Sequence, residues 1–322
     1  MHTANGLDVI FGAAGIGPEA FRDVAREQLD VLLAEDITAL DTSEMYPGCE
    51  DELANLKVTN KFEIHAKVAG GASPGRQHDA IIEAGQERLR KLNVDQVEIF
   101  YLHAPDNSVP VSDQVKAYDA LYKQGAFKHL GLCNFTPEEL EEFYDAAKSN
   151  NCVLPTVYQG SYSAVSRVAE KELIPLLRKL GIRYVAYGPI SGGLLAKSRE
   201  ELLKGTGRFD PNNFVGTVYN ALFNKPSYLK ALDAWGEIAE QAGISRAELA
   251  YRWIIFHSAL SGAYGDGIIF SASSVAQLKN TIKFFKAGPL ESDIVKRADA
   301  VWKIVEPEAP LDNWHGYMKG LF

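Results

Sequence analysis

A chain of 322 residues that is 46% hydrophobic and 23% charged can bury a large core, and its length fits two domains or one α/β barrel. Its formal net charge of −9, with no Lys/Arg-rich run, argues against nucleic acid as a partner. No stretch nears the roughly 20 apolar residues of a membrane span, the opening MHTANGLDVIFGAAG lacks a basic signal-peptide start, and Cys49, Cys133 and Cys152 lack metal-ligand spacing, so a cytoplasmic protein with free thiols and no bound metal is expected.

Taken in order, the elements alternate. Strand-like apolar runs are expected near 8–11, 37–41, 62–68, 97–102, 128–133, 154–159, 182–187 and 267–271. Helix-like stretches separate them. In 74–92 the residues Ile81, Ile82, Ala84, Leu89 and Leu92 recur near helical spacing. In 136–151 Thr136, Pro137 and Glu139 supply N-cap, N1 and N3 chemistry. Eight strands alternating with helices predict a parallel sheet closed into one (β/α)8 TIM barrel over residues 1–322.

The alternation stretches once. About eighty residues separate Tyr187 from Ile268, where a βαβ unit takes roughly thirty. The glycine-rich part, GPISGGLLAKSREELLKGTGRFDPNNFVG, has no strong periodicity and reads as a long functional loop. Helices are expected at 228–242, 245–258 and 291–305, followed by the tail PEAPLDNWHGYMKGLF.

Several strands end in residues a core would not choose: Asp41, Lys67, His103 and Asn134, with Tyr46 five positions past Asp41. Singly, each has a bland explanation. Asp41 before Thr42 and Ser43 suits a turn, Tyr46 a half-buried loop, His103 a satisfied core position. Lys67 resists one, because an ammonium in so apolar a run needs a partner or a shifted pKa. Together they form a proton-transfer set. Asp41 can hold Lys67 charged, Lys67 can lower the Tyr46 pKa, and His103 can orient a substrate oxygen. The HExxH zinc motif is absent.

The segments DTSEMY, AKV, YLHAPD, GLCNF and VYQGSY resemble successive strand-end motifs of the aldo-keto reductase superfamily. VLPTVYQGSYS, AYGPISGGLL, GTGRF, ASSVAQL and GPLESDIV are most similar to the branch of the aflatoxin-aldehyde reductases and their fungal relatives. The resemblance runs from Phe11 to about Trp314. It implies an NADPH-dependent carbonyl reductase acting on a small-molecule carbonyl substrate, as a monomer or homodimer. It makes Tyr46 the proton donor, tuned by Asp41 and Lys67, with His103 orienting the carbonyl.

On the cofactor side, the resemblance implies that Cys133, Asn134 and Gln159 hold the carboxamide and that Tyr187 stacks on the nicotinamide. The loop through Gly188, Pro189, Ile190, Ser191, Gly192, Gly193, Leu194 and Lys197 would wrap the pyrophosphate, with Arg208 contacting a phosphate. Ser273, Ser274, Gln277, Lys279 and Asn280 would bind the adenosine phosphate. A helix starting at Ser273 or Ser274 is an independent reason for anion binding there. Taken alone, 188–198 is only a loop and SASS only a cap.

Departures follow. Cys133 replaces a serine, which implies weakened but retained cofactor binding, since a thiol is a weak hydrogen-bond partner. Thr281 takes the place of a final asparagine, with Asn280 one step earlier. Acid-reducing members carry an arginine three residues after a loop tyrosine and another near the C-terminus. Here Tyr219 is kept, Leu222 takes the first arginine position, and Gly316 or His315 the second. Loss of both guanidinium groups removes a carboxylate clamp. The expected substrate is uncharged, aromatic or hydrophobic, held against His103, Tyr219, Leu222, Trp314 and His315. The superfamily also includes channel-associated subunits that bind NADPH and turn over slowly, so a regulatory subunit is the second expectation.

Overall fold

The computed structural model describes residues 1–17 and 22–321. Eight strands close into a barrel in chain order: β1 (Asp8–Gly12), β2 (Ala39–Asp41), β3 (Glu63–Val68), β4 (Val97–Leu102), β5 (Phe127–Cys133), β6 (Pro155–Ser161), β7 (Arg183–Tyr187) and β8 (Gly267–Phe270). Every neighbouring pair is parallel, and β8 closes on β1 with Asp8 opposite Gly267. The fold is the (β/α)8 TIM barrel that the alternation predicts.

The strand sequences sort their side chains by pleat. Ile10, Ile99, Tyr101, Cys133, Val157, Val185 and Ile269 form one buried cluster inside the cylinder. Phe11, Leu40, Ile64, Phe100, Leu132, Tyr158 and Ile268, one residue out of phase, join the outer core against the helices. Gly131 makes the inner cluster possible, since a Cβ there would come 2.2 Å from the Tyr101 ring.

Helices α1 (Arg22–Ala34), α2 (Cys49–Asn55), α3 (His78–Leu92), α4 (Val111–Lys123), α5 (Pro137–Ser149) and α6 (Leu173–Leu180) connect the first seven strands. The expected start of α5 is built as read: the Thr136 hydroxyl accepts from the Glu139 N–H, and the Glu139 carboxylate accepts from the Thr136 N–H. Such a cap contributes about 1 kcal/mol.

The long β7–β8 connection holds α7 (Arg199–Leu203), α8 (Phe214–Phe223), α9 (Pro226–Gln241) and α10 (Arg246–Phe256). The first two replace part of what reads as loop. Ser198 and Glu201 form a capping box on α7, and the Asn213 side chain caps α8. Gly216 lies inside α8 because a Cβ would sit 1.7 Å from the Asp210 carbonyl oxygen.

After β8 come α11 (Val275–Phe285), α12 (Ser292–Val305) and the short α13 (Asn313–Gly316). The tail carrying α13 crosses the C-terminal mouth of the barrel. Trp314 packs on Gly71, and Gly316 packs against Leu222. No described helix is long and apolar enough to cross a membrane.

Candidate active site

The polar strand ends converge on that mouth. Lys67 is fully buried and donates to the Asp41 carboxylate, and to the Thr42 carbonyl at 2.9 Å. Burial opposes the ammonium most strongly, but the charge and hydrogen bond of Asp41, together with Tyr46, outweigh it and raise the Lys67 pKa above its ordinary value. The other Asp41 oxygen accepts from Gln159 Nε2 at 2.8 Å. Lys67 Nζ lies 5.4 Å from the centre of the Tyr46 ring and 5.7 Å from that of Tyr101.

The Tyr46 phenol corrects one expectation. Its pKa is pushed up to about 12, because burial exceeds the lowering by Lys67 and Asp41 adds to the rise. The Lys67 charge still favours the phenolate, but by less than burial opposes it. At neutral pH Tyr46 is therefore protonated, the state required of an acid.

His103 stands edge-on to Tyr46, with ring centres 6.2 Å apart and planes at 90°. Burial, then Lys67, depress its pKa to about 3, so the ring is neutral. Its Nδ1 lies 2.9 Å from Ser43 Oγ. Ser43 is a contact the strand-end pattern does not reveal. The DTS triplet carried the signal, since a serine two residues past Asp41 stays on the same loop.

Asn134 takes a left-handed backbone, φ 60°. Its Nδ2 donates to the His103 carbonyl at 3.0 Å and to Cys133 Sγ at 3.2 Å, and its Oδ1 accepts from the Tyr187 hydroxyl at 2.8 Å. The Cys133 thiol donates to Gln159 Oε1 at 3.8 Å, and burial pushes its pKa well up. Asp41, Tyr46, Lys67, His103, Cys133, Asn134, Gln159 and Tyr187 thus share one mouth: a buried ion pair, a protonated phenol, a neutral imidazole and two side-chain amides. This equipment can protonate an oxygen that gains negative charge.

The aldo/keto reductase family model matches residues 8–303. The chain belongs to the aldo/keto reductase family. It is 37% identical over 314 residues to the oxidoreductase sirO of Leptosphaeria maculans, covering 94% of this chain and 95% of the relative. It is 37% identical over 289 residues to aflatoxin B1 aldehyde reductase member 2 of Homo sapiens, covering 85% and 80%. An aldo-keto reductase of Pseudocercospora fijiensis is 33% identical over 288 residues, covering 86% and 97%. Membership marks the protein as an oxidoreductase of carbonyl compounds, in a family that typically uses nicotinamide cofactors.

In this aldo/keto reductase the glycine loop leaves β7 beside the mouth. Gly188, Gly192 and Gly193 have φ of 69°, 66° and 100°, and Ser191 also lies in the left-handed region. A Cβ on Gly188 or Gly193 would meet open space, whereas one on Gly192 would sit 1.8 Å from the Tyr219 ring. Ser191 is buried and bonds Ser163 Oγ at 2.8 Å. Pro189 and Leu194 are buried, while Ile190, Gly193 and Lys197 are half-exposed. Farther out, the exposed Arg208 donates to Ser271 Oγ at 3.3 Å. Ser274 caps α11 by accepting from Gln277 N–H at 3.2 Å, and Ser273 donates to Gln277 Oε1. Lys279 and Asn280 are exposed, and Thr281 is buried.

On the tail, Trp314 is buried and His315 turns to carboxylates. His315 Nδ1 lies 3.0 Å from Asp312, and Nε2 is 3.4 Å from Glu139 of α5. Burial opposes its charge, but these two carboxylates raise the pKa to about 9. Leu222 is buried against Gly316, with Tyr219 braced on the glycine loop.

Proposed function

We propose that this aldo/keto reductase uses NADPH to reduce an uncharged aldehyde or ketone, aromatic or hydrophobic, to the alcohol. The observation that carries the reading is the Asp41–Lys67 pair beside the Tyr46 ring, with neutral His103 edge-on to it.

The residues present suit a nicotinamide dinucleotide. Side-chain amides and Tyr187 stand at one end, and Arg208, Lys279 and the N-terminus of α11 at the other. Between them, Gly188 and Gly193 leave bare backbone beside open space. Asn134, Gln159 and Cys133 would hold the carboxamide, Tyr187 the ring face, and residues 188–197, Arg208 and 273–280 the phosphates. The dihydronicotinamide, when bound, supplies the hydride.

His103 donates a hydrogen bond to the carbonyl oxygen. Tyr46 gives that oxygen its proton as hydride adds to the carbon, so the C=O π bond breaks and C–H and O–H bonds form. The resulting phenolate is stabilised by the Lys67 ammonium, which Asp41 keeps charged, and it regains a proton from water. The preference for an uncharged substrate rests on Leu222 at one arginine position and on His315, whose charge is matched by Asp312 and Glu139.

The same reading takes residues 1–322 as one cytoplasmic domain, working as a monomer or homodimer. Its test is Tyr46→Phe, followed by NADPH oxidation with a panel of aldehydes. Turnover falls by orders of magnitude while NADPH affinity stays near wild type; retained turnover refutes the mechanism. A neutral aromatic aldehyde is preferred to succinic semialdehyde, and equal kcat/KM for the two refutes the substrate class.

A further inference from the structure

Ser43 lies just past β2, between Asp41 and Tyr46, and is fully buried. Its carbonyl accepts from the Tyr46 N–H at 3.0 Å. Its hydroxyl oxygen accepts from the Met45 N–H at 3.1 Å and lies 2.9 Å from His103 Nδ1. A serine hydroxyl has one hydrogen to give. Among the described residues, His103 Nδ1 is the one acceptor within reach of that hydrogen.

Two arrangements of the shared proton are conceivable. If Nδ1 carried a hydrogen, it would donate to Ser43 Oγ and leave the serine hydrogen buried without an acceptor, a cost comparable to a lost hydrogen bond. If Nδ1 is bare, it accepts from Ser43, both groups are satisfied, and Nε2 carries the N–H. The doubly protonated ring is opposed by burial and by Lys67.

We propose that Ser43 is a positioning residue that locks His103 in the tautomer with hydrogen on Nε2, and so fixes it as a donor to the substrate carbonyl. The proposal rests on the reductase reading above, and it divides the work at the oxygen. His103 contributes a hydrogen bond, and Tyr46 contributes the transferred proton. The other contacts of His103 fix its backbone instead: its N–H donates to the Val68 carbonyl at 2.9 Å, and its carbonyl accepts from Asn134 at 3.0 Å.

The test is 15N NMR of the full-length protein with labelled histidine, the His103 signals being assigned by their loss in His103→Gln. In the wild type, Nδ1 should fall in the unprotonated range and Nε2 in the N–H range. In Ser43→Ala the two tautomers mix, kcat/KM for a neutral aldehyde drops about 10- to 100-fold, the scale of a weakened donor to a developing oxyanion, and Ser43→Thr restores both signals. A wild-type ring with hydrogen on Nδ1 overturns the proposal even if the alanine variant fails to fold. An unchanged tautomer in Ser43→Ala also overturns it, and a mixed tautomer with unchanged turnover overturns its catalytic part. The NMR readout needs no turnover, so the proposal can fail while Tyr46→Phe still supports the reductase reading, or the reverse.

Discussion

The Tyr187 hydroxyl donates to the Asn134 side-chain oxygen at 2.8 Å and accepts from the Asn313 N–H of the tail at 3.4 Å. One phenol therefore links the end of β7, the end of β5 and the segment carrying Trp314. Tyr187→Phe keeps the ring face and removes the link. The cofactor dissociation constant, followed by protein fluorescence on titration with NADPH, should rise about 5- to 10-fold, the worth of one net hydrogen bond. An unchanged constant would show that Asn134 needs no help from the tyrosine.

Lys67 and Asp41 are a buried charge pair, so removing one partner strands the other. Lys67→Met should destabilise the protein by about 3–5 kcal/mol. The double variant Lys67→Met/Asp41→Asn should recover part of that loss, because an asparagine is cheaper to bury unpaired than a carboxylate. Urea melts of the two variants decide it; equal midpoints would mean that the Asp41 charge finds another partner.

Stability should fall on both sides of neutral pH. Burial depresses His65 and His103 to about 3. Between about pH 3 and 6.5 the unfolded chain binds protons at these rings and the folded chain does not, so stability is lost as pH falls, by up to about 3 kcal/mol per pH unit for the two. His315 has the opposite sign. Its folded pKa is raised to about 9, so its contribution is complete below about 6.5 and is lost as pH rises through 9. Denaturation midpoints from pH 4 to 10 test both limbs. Glu139→Gln should lower the His315 pKa and flatten the alkaline one.

Gly192 and Gly193 separate strain from collision. Both have positive φ, but only Gly192 faces the Tyr219 ring. Gly193→Ala should carry only the backbone cost, about 1 kcal/mol, whereas Gly192→Ala should weaken NADPH binding further. Tyr219→Ala added to Gly192→Ala should bring the dissociation constant back toward that of Gly193→Ala. Equal constants for the two single variants would remove any bracing role for Tyr219.

The barrel was readable because strand chemistry in a parallel sheet is local. Runs such as IFYL of β4 and LGLC of β5 bury side chains on both faces of the sheet, and all eight strands lie where such runs occur. The helices α7 and α8 were harder. One has five residues, and the other is apolar nearly all round with Gly216 inside it, so neither shows a helical stripe. The residue types at the site could be read from the strand ends, but their electrostatic balance could not. The Tyr46 pKa depends first on how deeply folding buries the phenol, and that of His315 on Glu139, which only folding brings near it, together with Asp312 three residues away.

Asp41 holds Lys67 of β3 with one oxygen and Gln159 of β6 with the other. In the closed order of strands β6 stands diametrically across from β2, where Asp41 resides. This carboxylate is thus a strut spanning the width of the cylinder. The mouth cannot become oval without stretching a contact to a buried charge, so the roundness of the barrel and the alignment of its proton donor form a single mechanical coordinate.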